Sequence, residues 1–269
     1  MVTPFKVVSD VTDCPSPDIL SISASRDSMF AAAFGKGMFR KSADGRWTPA
    51  DDGLPDGVIV NRLQVIDGSF FLCTNKGLFF HDSNSWFLTD ITIPCYQVVK
   101  KSAILAAATE YGIWFKIGTQ WKSVAYANKA IYDLLLTPQY YILGTSQGIS
   151  LYDRYTDSAA DFPLGTGVTS MAIVQSRLVG ASMGGGLVLG NQRGGFIVSD
   201  FEDVTIYSLK STETGVHACS SRGLYRIQML ESQVIMRSML TGYPVTDLSS
   251  CGDCMYVSTL NWGLKKVVL

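Results

Sequence analysis

Short apolar runs alternate with polar turns along the whole chain, and one motif recurs among them. The motif consists of small apolar residues, a Ser or Thr, two variable residues, a Gly and a second apolar run; the clearest copy, residues 144–149, reads GTSQGI. Seven copies at steps of 35 to 40 residues predict a repeat protein. The motif glycines are Gly37, Gly77, Gly112, Gly148, Gly186, Gly223 and Gly263.

Each copy contains four pieces of strand length. A two-residue polar turn follows the first piece, most plainly at residues 67–68 and 252–253, as hairpins require. The second strand ends at the Ser or Thr, the Gly is expected to supply a positive φ, and the third strand starts on the second apolar run. A fourth strand often carries tryptophan, as at Trp47, Trp86 and Trp121. The predicted first strands are Ile19–Ile22, Val60–Leu63, Tyr96–Val99, Ile131–Leu134, Val168–Met171, Ile206–Leu209 and Val245–Leu248.

Four antiparallel strands in about 40 residues are typical of a propeller blade, and no segment has helical spacing. The sequence therefore predicts an all-β fold, a seven-bladed β-propeller. The seventh copy ends after its third strand, whereas Phe5–Asp10 resembles the fourth strands of other copies. We expect this N-terminal strand to close the last blade and remove an open edge. Since a ring has no internal boundary, residues 1–269 are predicted to form a single domain.

Composition and charge limit the partners of this domain. Hydrophobic residues make up 47% and charged residues 17%, which favours a packed core. The net charge of −1 gives no global field for nucleic acid or an anionic membrane. There is no signal-like N-terminus or spanning apolar run, and cysteines such as Cys73 lie in strand-like runs. We predict a cytoplasmic protein with no nucleic-acid partner and no membrane insertion, although a secretion signal already removed would leave the same sequence.

One copy carries a resemblance to a known family. Residues 144–153, with the pattern GT-x-x-GI-x-x-YD, resemble the propeller repeats of two-component-regulator sensors, which are mostly bacterial. The resemblance covers nearly the whole chain as a blade pattern and implies a ligand-sensing module. Residues 42–47 are similar, more weakly, to a shortened Asp-box of sialidase-type repeats, which is a structural turn and implies nothing about activity.

A cysteine pair is the sharpest local motif. Cys251 and Cys254 are compatible with half a zinc site, a redox pair or an incidental structural pair. Zinc needs two further ligands, and the only histidines, His81 and His217, fall in other blades. The two residues between the cysteines form a predicted hairpin turn, so the sulfurs are able to face each other. We favour the structural pair and predict no metal and no cofactor.

Catalytic constellations are missing from the pattern. No nucleophile elbow or phosphate-binding loop occurs. Sialidase-type chemistry needs three inward arginines, but only Arg62 falls in an innermost strand and only Arg222 in a loop on the entry face. We therefore predict that the protein is not an enzyme.

The binding site is predicted on one face of the ring. The motif loops and the connections from each fourth strand to the next first strand form this surface, the motif face. Trp, Tyr and Arg dominate protein interfaces, so the residues before the motif glycines are candidates. The candidate rim residues are Lys36, Lys76, Tyr111, Gln147, Arg222 and Trp262. Innermost strands add three charges at the channel mouth, Arg62, Asp133 and Asp247.

Two function classes remain open. The leading hypothesis is a non-enzymatic interaction module that binds a protein partner or a small ligand on this rim. The alternative is a carbohydrate-binding or glycan-cleaving propeller, and a solvated rim without a ligand is equally compatible with the pattern. Trp262 is the strongest predicted anchor, unless its indole folds back over the neighbouring blade and seals the ring.

Overall fold

The computed structural model describes residues 6–268 except 12, 26–27, 192–193, 202 and 232, with side chains from Ser9 onward. These residues form strands and no helix, so none of their segments is a helix long and apolar enough to cross a membrane. The strands are arranged in seven four-stranded antiparallel sheets. The fold is a seven-bladed β-propeller, as predicted.

The strands follow one another in blade order. The chain begins with β1 (Lys6–Asp10), which belongs to the last blade. Blade 1 consists of β2 (Ile19–Ala24), β3 (Met29–Ala33), β4 (Gly37–Lys41) and β5 (Trp47–Pro49). Blade 2 consists of β6 (Val60–Ile66), β7 (Ser69–Thr74), β8 (Gly77–Asp82) and β9 (Ser85–Leu88). Blade 3 consists of β10 (Cys95–Lys101), β11 (Ile104–Thr109), β12 (Gly112–Ile117) and β13 (Gln120–Ala125).

The second half of the ring repeats this order. Blade 4 consists of β14 (Ile131–Leu136), β15 (Tyr140–Thr145), β16 (Gly148–Asp153) and β17 (Ser158–Pro163). Blade 5 consists of β18 (Val168–Val174), β19 (Arg177–Ser182), β20 (Leu187–Gly190) and β21 (Phe196–Ser199). Blade 6 consists of β22 (Ile206–Thr212), β23 (Gly215–Ser220), β24 (Gly223–Leu230) and β25 (Gln233–Thr241). Blade 7 consists of β26 (Val245–Cys251), β27 (Cys254–Thr259), β28 (Leu264–Val268) and β1.

The N-terminal strand closes the last blade, as predicted. β1 pairs antiparallel with β28, from Lys6 opposite Val268 to Asp10 opposite Lys265. The Lys265 ammonium also lies 2.5 Å from the Asp10 carboxylate. Phe5, the first residue of the predicted strand, lies outside the described residues. The pairing joins the two ends of the chain in one sheet and covers the edge of β28.

The first strand of each blade is longer than the predicted four residues. In blade 2 it continues past Leu63 to Ile66, which lies opposite Ser69 across the hairpin turn. The predicted strands stop after four residues, whereas backbone pairing continues up to the hairpin turn because it uses the N–H and C=O groups of every residue. Each innermost strand therefore spans six or seven residues and lines more of the channel.

The core lies between neighbouring sheets. The second strands carry small residues, such as Ala31 and Ala107, which are fully buried near the axis where the blades converge. Larger side chains fill the space further out; Trp86 of blade 2 is buried there and donates its indole N–H to the Ala50 carbonyl, at 2.8 Å. This taper from small to large residues explains why Trp47, Trp86 and Trp121 occur in fourth strands.

The motif itself is a structural turn. In blade 3 the buried Thr109 hydroxyl donates to the Gly112 carbonyl at 2.9 Å and accepts from the Tyr111 N–H at 3.2 Å. Gly112 has a φ of +89°, and a Cβ there would lie 2.2 Å from the Ala125 carbonyl oxygen. The Gly is therefore required both for its φ and for a close backbone approach. In blade 5 the positive φ falls on Gly185 and not on the predicted Gly186.

Candidate functional site

The six candidate rim residues are exposed and lie on the motif face. They come from six different blades, so they surround the channel mouth instead of forming one cluster. These exposed residues are Lys36, Lys76, Tyr111, Gln147, Arg222 and Trp262. Sequence reasoning placed them correctly on the surface; whether they bind anything remains a prediction.

The Trp262 indole is partly supported but open to solvent. Its exposed fraction is 57%, and its ring centroid lies 6.2 Å from that of Tyr243, in the connection into blade 7. The Lys265 ammonium lies 5.7 Å from the indole centroid, within the range of a cation–π contact. The indole leans on this connection while more than half of its surface stays accessible.

Arg222 is exposed and already paired. Its guanidinium lies 3.0 Å from the carboxylate of Asp203, and both side chains are more than half exposed. Such a surface pair contributes little to stability, so a partner is able to displace it at low cost.

Sequence reasoning missed three large apolar residues on the same face. Phe34, Ile59 and Met183 have exposed fractions of 67%, 62% and 59%. The predicted rim contains only the residue directly before each motif Gly. The signal that would have revealed Phe34 and Met183 is loop length, because blades 1 and 5 have one more residue in this turn than blade 2.

Phe34 and Ile59 flank an apolar cleft between blades 1 and 2. The cleft has a volume of about 500 Å³. Its wall is mostly aliphatic and includes Leu20, Ala32, Met38, Leu54, Pro55 and Val58. Leu20 also lines the central cavity, so the cleft and the channel mouth share a wall.

The loop of blade 7 lies beside the loop of blade 1. Asp18, in the connection into blade 1, accepts the Phe34 N–H on its carbonyl at 3.0 Å. Its carboxylate accepts the Asn261 N–H at 2.8 Å. Trp262, Phe34 and Ile59 therefore follow one another along the motif face, and we call these three residues the apolar arc.

The central cavity lies at the motif-face end of the innermost strands and has a volume of about 320 Å³. Every innermost strand has a register shift between its first and third residues, for example between Val60 and Arg62. A bulge inserts an extra residue there and lets two consecutive side chains face the channel. The second residues of the seven strands are Leu20, Asn61, Tyr96, Tyr132, Thr169, Tyr207 and Thr246.

The third residues connect neighbouring blades. The Ser21 hydroxyl of blade 1 accepts the Leu63 N–H of blade 2 at 3.1 Å, and Ser170 of blade 5 accepts the Leu209 N–H of blade 6 at 3.0 Å. An innermost strand has no strand partner on its channel side, so these N–H groups need side-chain acceptors. The third residues are therefore part of the structure of the ring.

The three predicted channel charges belong to this layer. Arg62 and Asp247 line the cavity, whereas Asp133 lies beneath it, almost fully buried. The Arg62 guanidinium reaches from blade 2 to the Asp133 carboxylate of blade 4, at 2.9 Å. Burial raises the pKa of the Asp133 carboxyl, and the attraction of Arg62, which lowers that pKa, offsets only part of the effect. Lys210, which sequence reasoning missed, pairs with Asp247 at 2.6 Å.

The cysteines and histidines stay apart. Cys251 and Cys254 are opposite each other at the end of the β26–β27 hairpin, and both thiols are free. His217 is fully buried; burial, with the nearby Arg226, lowers the pKa of its imidazole to about 4. Among the described residues no group of three or more His, Cys, Asp or Glu is placed to hold a metal ion. The structural interpretation of the cysteine pair remains our prediction.

Many solved structures share the fold, and the sensor, WD40 and lyase structures among them are distant in sequence. No protein-family model and no curated protein matches this chain. The extracellular domain of a hybrid two-component system from B. thetaiotaomicron matches with a TM-score of 0.75 and 13% identity, over 98% of this chain and 41% of that one. The WD40 propeller of Doa1 matches with a TM-score of 0.73 and 10% identity, over 99% and 97% of the two chains.

An enzyme is also among these neighbours. A virginiamycin B lyase from Staphylococcus aureus, in an inactive form with quinupristin, matches with a TM-score of 0.70 and 10% identity, over 98% and 99% of the chains. At such identities the likeness shows the fold alone. The sensor domains match the resemblance inferred from the repeat, and this chain spans about two fifths of their length.

The comparisons agree with one of the other predictions and give no support to two of them. The fold is compatible with a ligand-binding or protein-binding module. The sensor neighbours are extracellular, so they lend no support to the predicted cytoplasmic location. The weaker resemblance to Asp-box repeats likewise has no support among these neighbours.

Proposed function

We propose that this protein is a non-enzymatic interaction module that binds a protein partner on its motif face. The observation that carries the proposal is the apolar cleft between blades 1 and 2, with Phe34 and Ile59 about two-thirds exposed on its flanks. Exposing large apolar side chains next to an apolar concavity is costly in water and is typical of interaction sites.

The chemistry of the cleft favours a protein over a carbohydrate. Sugar hydroxyls need convergent polar groups, whereas the walls are aliphatic and the Asp51 carboxylate accepts the Met38 N–H at 2.6 Å. An apolar side chain of a partner fits such a site as a buried anchor. The carbohydrate alternative rests on the two exposed aromatic rings of the rim, Tyr111 and Trp262, which are suited to stacking.

The surroundings of the cleft indicate what else the partner carries. Asp56 lines the cleft and, like Asp52 nearby, is exposed. Trp262 continues the arc on one side, with Arg222 in the next blade. A partner segment with an apolar side chain for the cleft and a basic residue facing Asp56 would match both the apolar wall and the exposed carboxylates of this surface.

The test measures partner capture by the arc. Phe34→Ala combined with Ile59→Ala removes the two side chains that flank the cleft. Trp262→Ala combined with Arg222→Ala removes the third residue of the apolar arc and the neighbouring rim arginine. The matched control is Tyr155→Ala, which removes an aromatic ring that is 73% exposed on the opposite face. Affinity purification from the source organism, with quantitative mass spectrometry, measures capture by each variant. We expect both double variants to lose at least about 90% of one captured protein, with a melting temperature close to that of the parent.

Several outcomes would count against this function. Equal loss with Tyr155→Ala would show that capture does not depend on the motif face. A fall of several degrees in melting temperature with capture intact would make the arc structural. A glycan array and a panel of chromogenic glycosides test the alternative, because clear sugar specificity or turnover would place the carbohydrate hypothesis first.

A further inference from the structure

We propose that the central cavity is a binding site for a small organic carboxylate, with the carboxylate group held by Arg62 and Lys210. This ligand site is separate from the protein-binding arc and does not depend on the function proposed above. It rests on the way in which the four charged side chains at the channel mouth divide their hydrogen bonds.

The carboxylate of Asp247 is fully engaged by the protein. It accepts from the Ser21 hydroxyl at 2.5 Å, the Ile22 N–H at 3.3 Å and the Leu248 N–H at 2.8 Å, and it pairs with Lys210 at 2.6 Å. Three hydrogen-bond donors and the Lys210 ammonium thus surround the two oxygens of this carboxylate. A ligand therefore finds no free acceptor on this side chain.

The cations keep unused donors. Arg62 has five N–H groups, of which one nitrogen, Nη1, bonds to Asp133. Lys210 has three N–H groups, and its nitrogen lies 2.6 Å from the Asp247 carboxylate. The side chains of Arg62 and Lys210 are 15% and 20% exposed, whereas those of Asp133 and Asp247 are 2% and 5% exposed. The cavity floor thus presents donors to solvent, with their counter-charges beneath.

The balance of charge favours a monoanion over a dianion. The cavity lining has two cations, Arg62 and Lys210, and one anion, Asp247, and the buried Asp133 pairs with Arg62 beneath it, so the four charges balance. A carboxylate adds one negative charge beside the two cations, whereas a phosphate monoester adds about −1.5 to −2 at neutral pH. The planar guanidinium also fits the two oxygens of a carboxylate.

The walls favour a ring attached to that carboxylate. Tyr96, Tyr132 and Tyr207 line the cavity, and the first two rings contact each other edge to face at 5.0 Å. The Tyr96 hydroxyl donates to Glu110, which fixes its orientation. Three aromatic side chains around a volume of about 320 Å³ suit one six-membered ring, from an aromatic acid or a sugar acid.

Titration followed by NMR with four probes tests the site. The probes are 4-hydroxybenzoate and glucuronate, with 4-hydroxybenzamide and glucose as neutral counterparts of the same ring size. We expect at least one acid to bind with a dissociation constant near or below about 1 mM. Its neutral counterpart should bind at least about ten-fold more weakly, and added chloride should weaken the binding of the acid but not that of the neutral counterpart. The preferred acid identifies the ligand as aromatic or sugar-derived.

Lysine variants locate the binding. Lys210→Met should weaken the binding of the acid at least about ten-fold and leave the binding of the neutral probe unchanged. The substitution removes the ammonium and keeps the aliphatic part of the side chain. Lys210→Arg restores a cation and should restore binding. The matched control is Lys100→Met, which breaks an ion pair with Asp67 at the other end of the blades. Lys100→Met should bind the acid as the parent does.

Three results would overturn the proposal. They are the absence of acid binding at about 10 mM, equal binding of an acid and its neutral counterpart, and equal losses in Lys210→Met and Lys100→Met. Failure here leaves capture by the arc untouched, because none of these probes or variants involves Phe34, Ile59 or Trp262.

Discussion

Two ion pairs of the same chemical type occupy opposite environments on the motif face. Lys210 and Asp247 pair at 2.6 Å at the channel, with side chains 20% and 5% exposed. Arg222 and Asp203 pair at 3.0 Å on the rim, with side chains 56% and 78% exposed. The inner carboxylate also accepts donors from blades 1 and 7, whereas the rim pair connects only a loop and its neighbouring connection. Burial, and not the pairing itself, decides which one holds the ring together.

The same division separates the nine residues that the sequence singled out for binding. Arg62, Asp133 and Asp247 lie in a layer where side chains satisfy the backbone of the next blade. The six rim residues are exposed on loops, and in five of these loops the motif Ser or Thr bonds to the loop backbone. In the loop of Lys36, where Ala33 stands at that position, the Lys36 N–H donates to the Ala33 carbonyl. Side chains near the axis are constrained by the ring, whereas rim side chains are free to differ from blade to blade.

The largest contrast is expected between the two aspartates. Asp247→Ala removes the acceptor of three donors and leaves Lys210 without a counter-charge, so the free energy of unfolding should fall by about 3–5 kcal/mol. Asp203→Ala, the matched rim variant, should change it by less than about 0.5–1 kcal/mol. Urea titrations at pH 7 measure both. Similar values for the two variants would mean that the inner layer does not hold the blades together.

Acid should lower the stability of the protein by protonating a buried side chain, His217. The folded-state pKa of His217 is about 4, below the value of about 6.5 in an unfolded chain. On acidification, the unfolded state therefore binds a proton at His217 before the folded state does. The contribution of neutral His217 to stability is fully present above pH 6.5 and is lost as the pH falls towards 4. The loss should approach about 3 kcal/mol, because each unit of pKa difference corresponds to about 1.4 kcal/mol.

Neutral variants isolate this titration. His217→Gln should flatten the change in unfolding free energy between pH 7 and pH 4.5, measured by urea titration at each pH. His81→Gln, at a partly exposed position, should retain most of the pH dependence of the parent. An unchanged slope in His217→Gln would assign the acid sensitivity to other groups.

The smallest contrast is between a glycine of a motif loop and a glycine of a hairpin turn on the opposite face. Gly112 and Gly68 have similar φ values, +89° and +79°, but a Cβ on Gly112 meets the Ala125 carbonyl while a Cβ on Gly68 meets nothing within 4 Å. Gly112→Ala should therefore cost about 1–3 kcal/mol more than Gly68→Ala, because both suffer the φ strain and only one suffers the clash. Thermal unfolding measures the difference. Equal costs would mean that the fourth strand moves away from the new Cβ without loss of stability. The motif loop would then tolerate substitution at Gly112 as well as at the neighbouring Tyr111.

The sequence predicted the ring because its information is local. Each blade is three hairpins, and the turn residues, the Ser or Thr and the motif Gly all act within a few positions of one another. Even closure by the N-terminal strand was visible, since Phe5–Asp10 repeats the pattern of other fourth strands. The first strands are longer than the predicted four residues because backbone pairing continues up to the hairpin turn, for example to Ile66 opposite Ser69.

What only the tertiary structure decided is which side chains from different blades meet. Phe34 and Ile59 lie in different blades and become a cleft only when the two blades pack. Lys210 is an ordinary strand lysine in the sequence, and a bulge at the start of each innermost strand turns the channel-facing side chains inward. The sequence by itself determined seven blades and a variable face, since these depend on repeated local pairing. The cleft and the charged cavity depend on contacts between residues of different blades, such as Ser21 and Asp247, which are 226 positions apart and which no local pattern records.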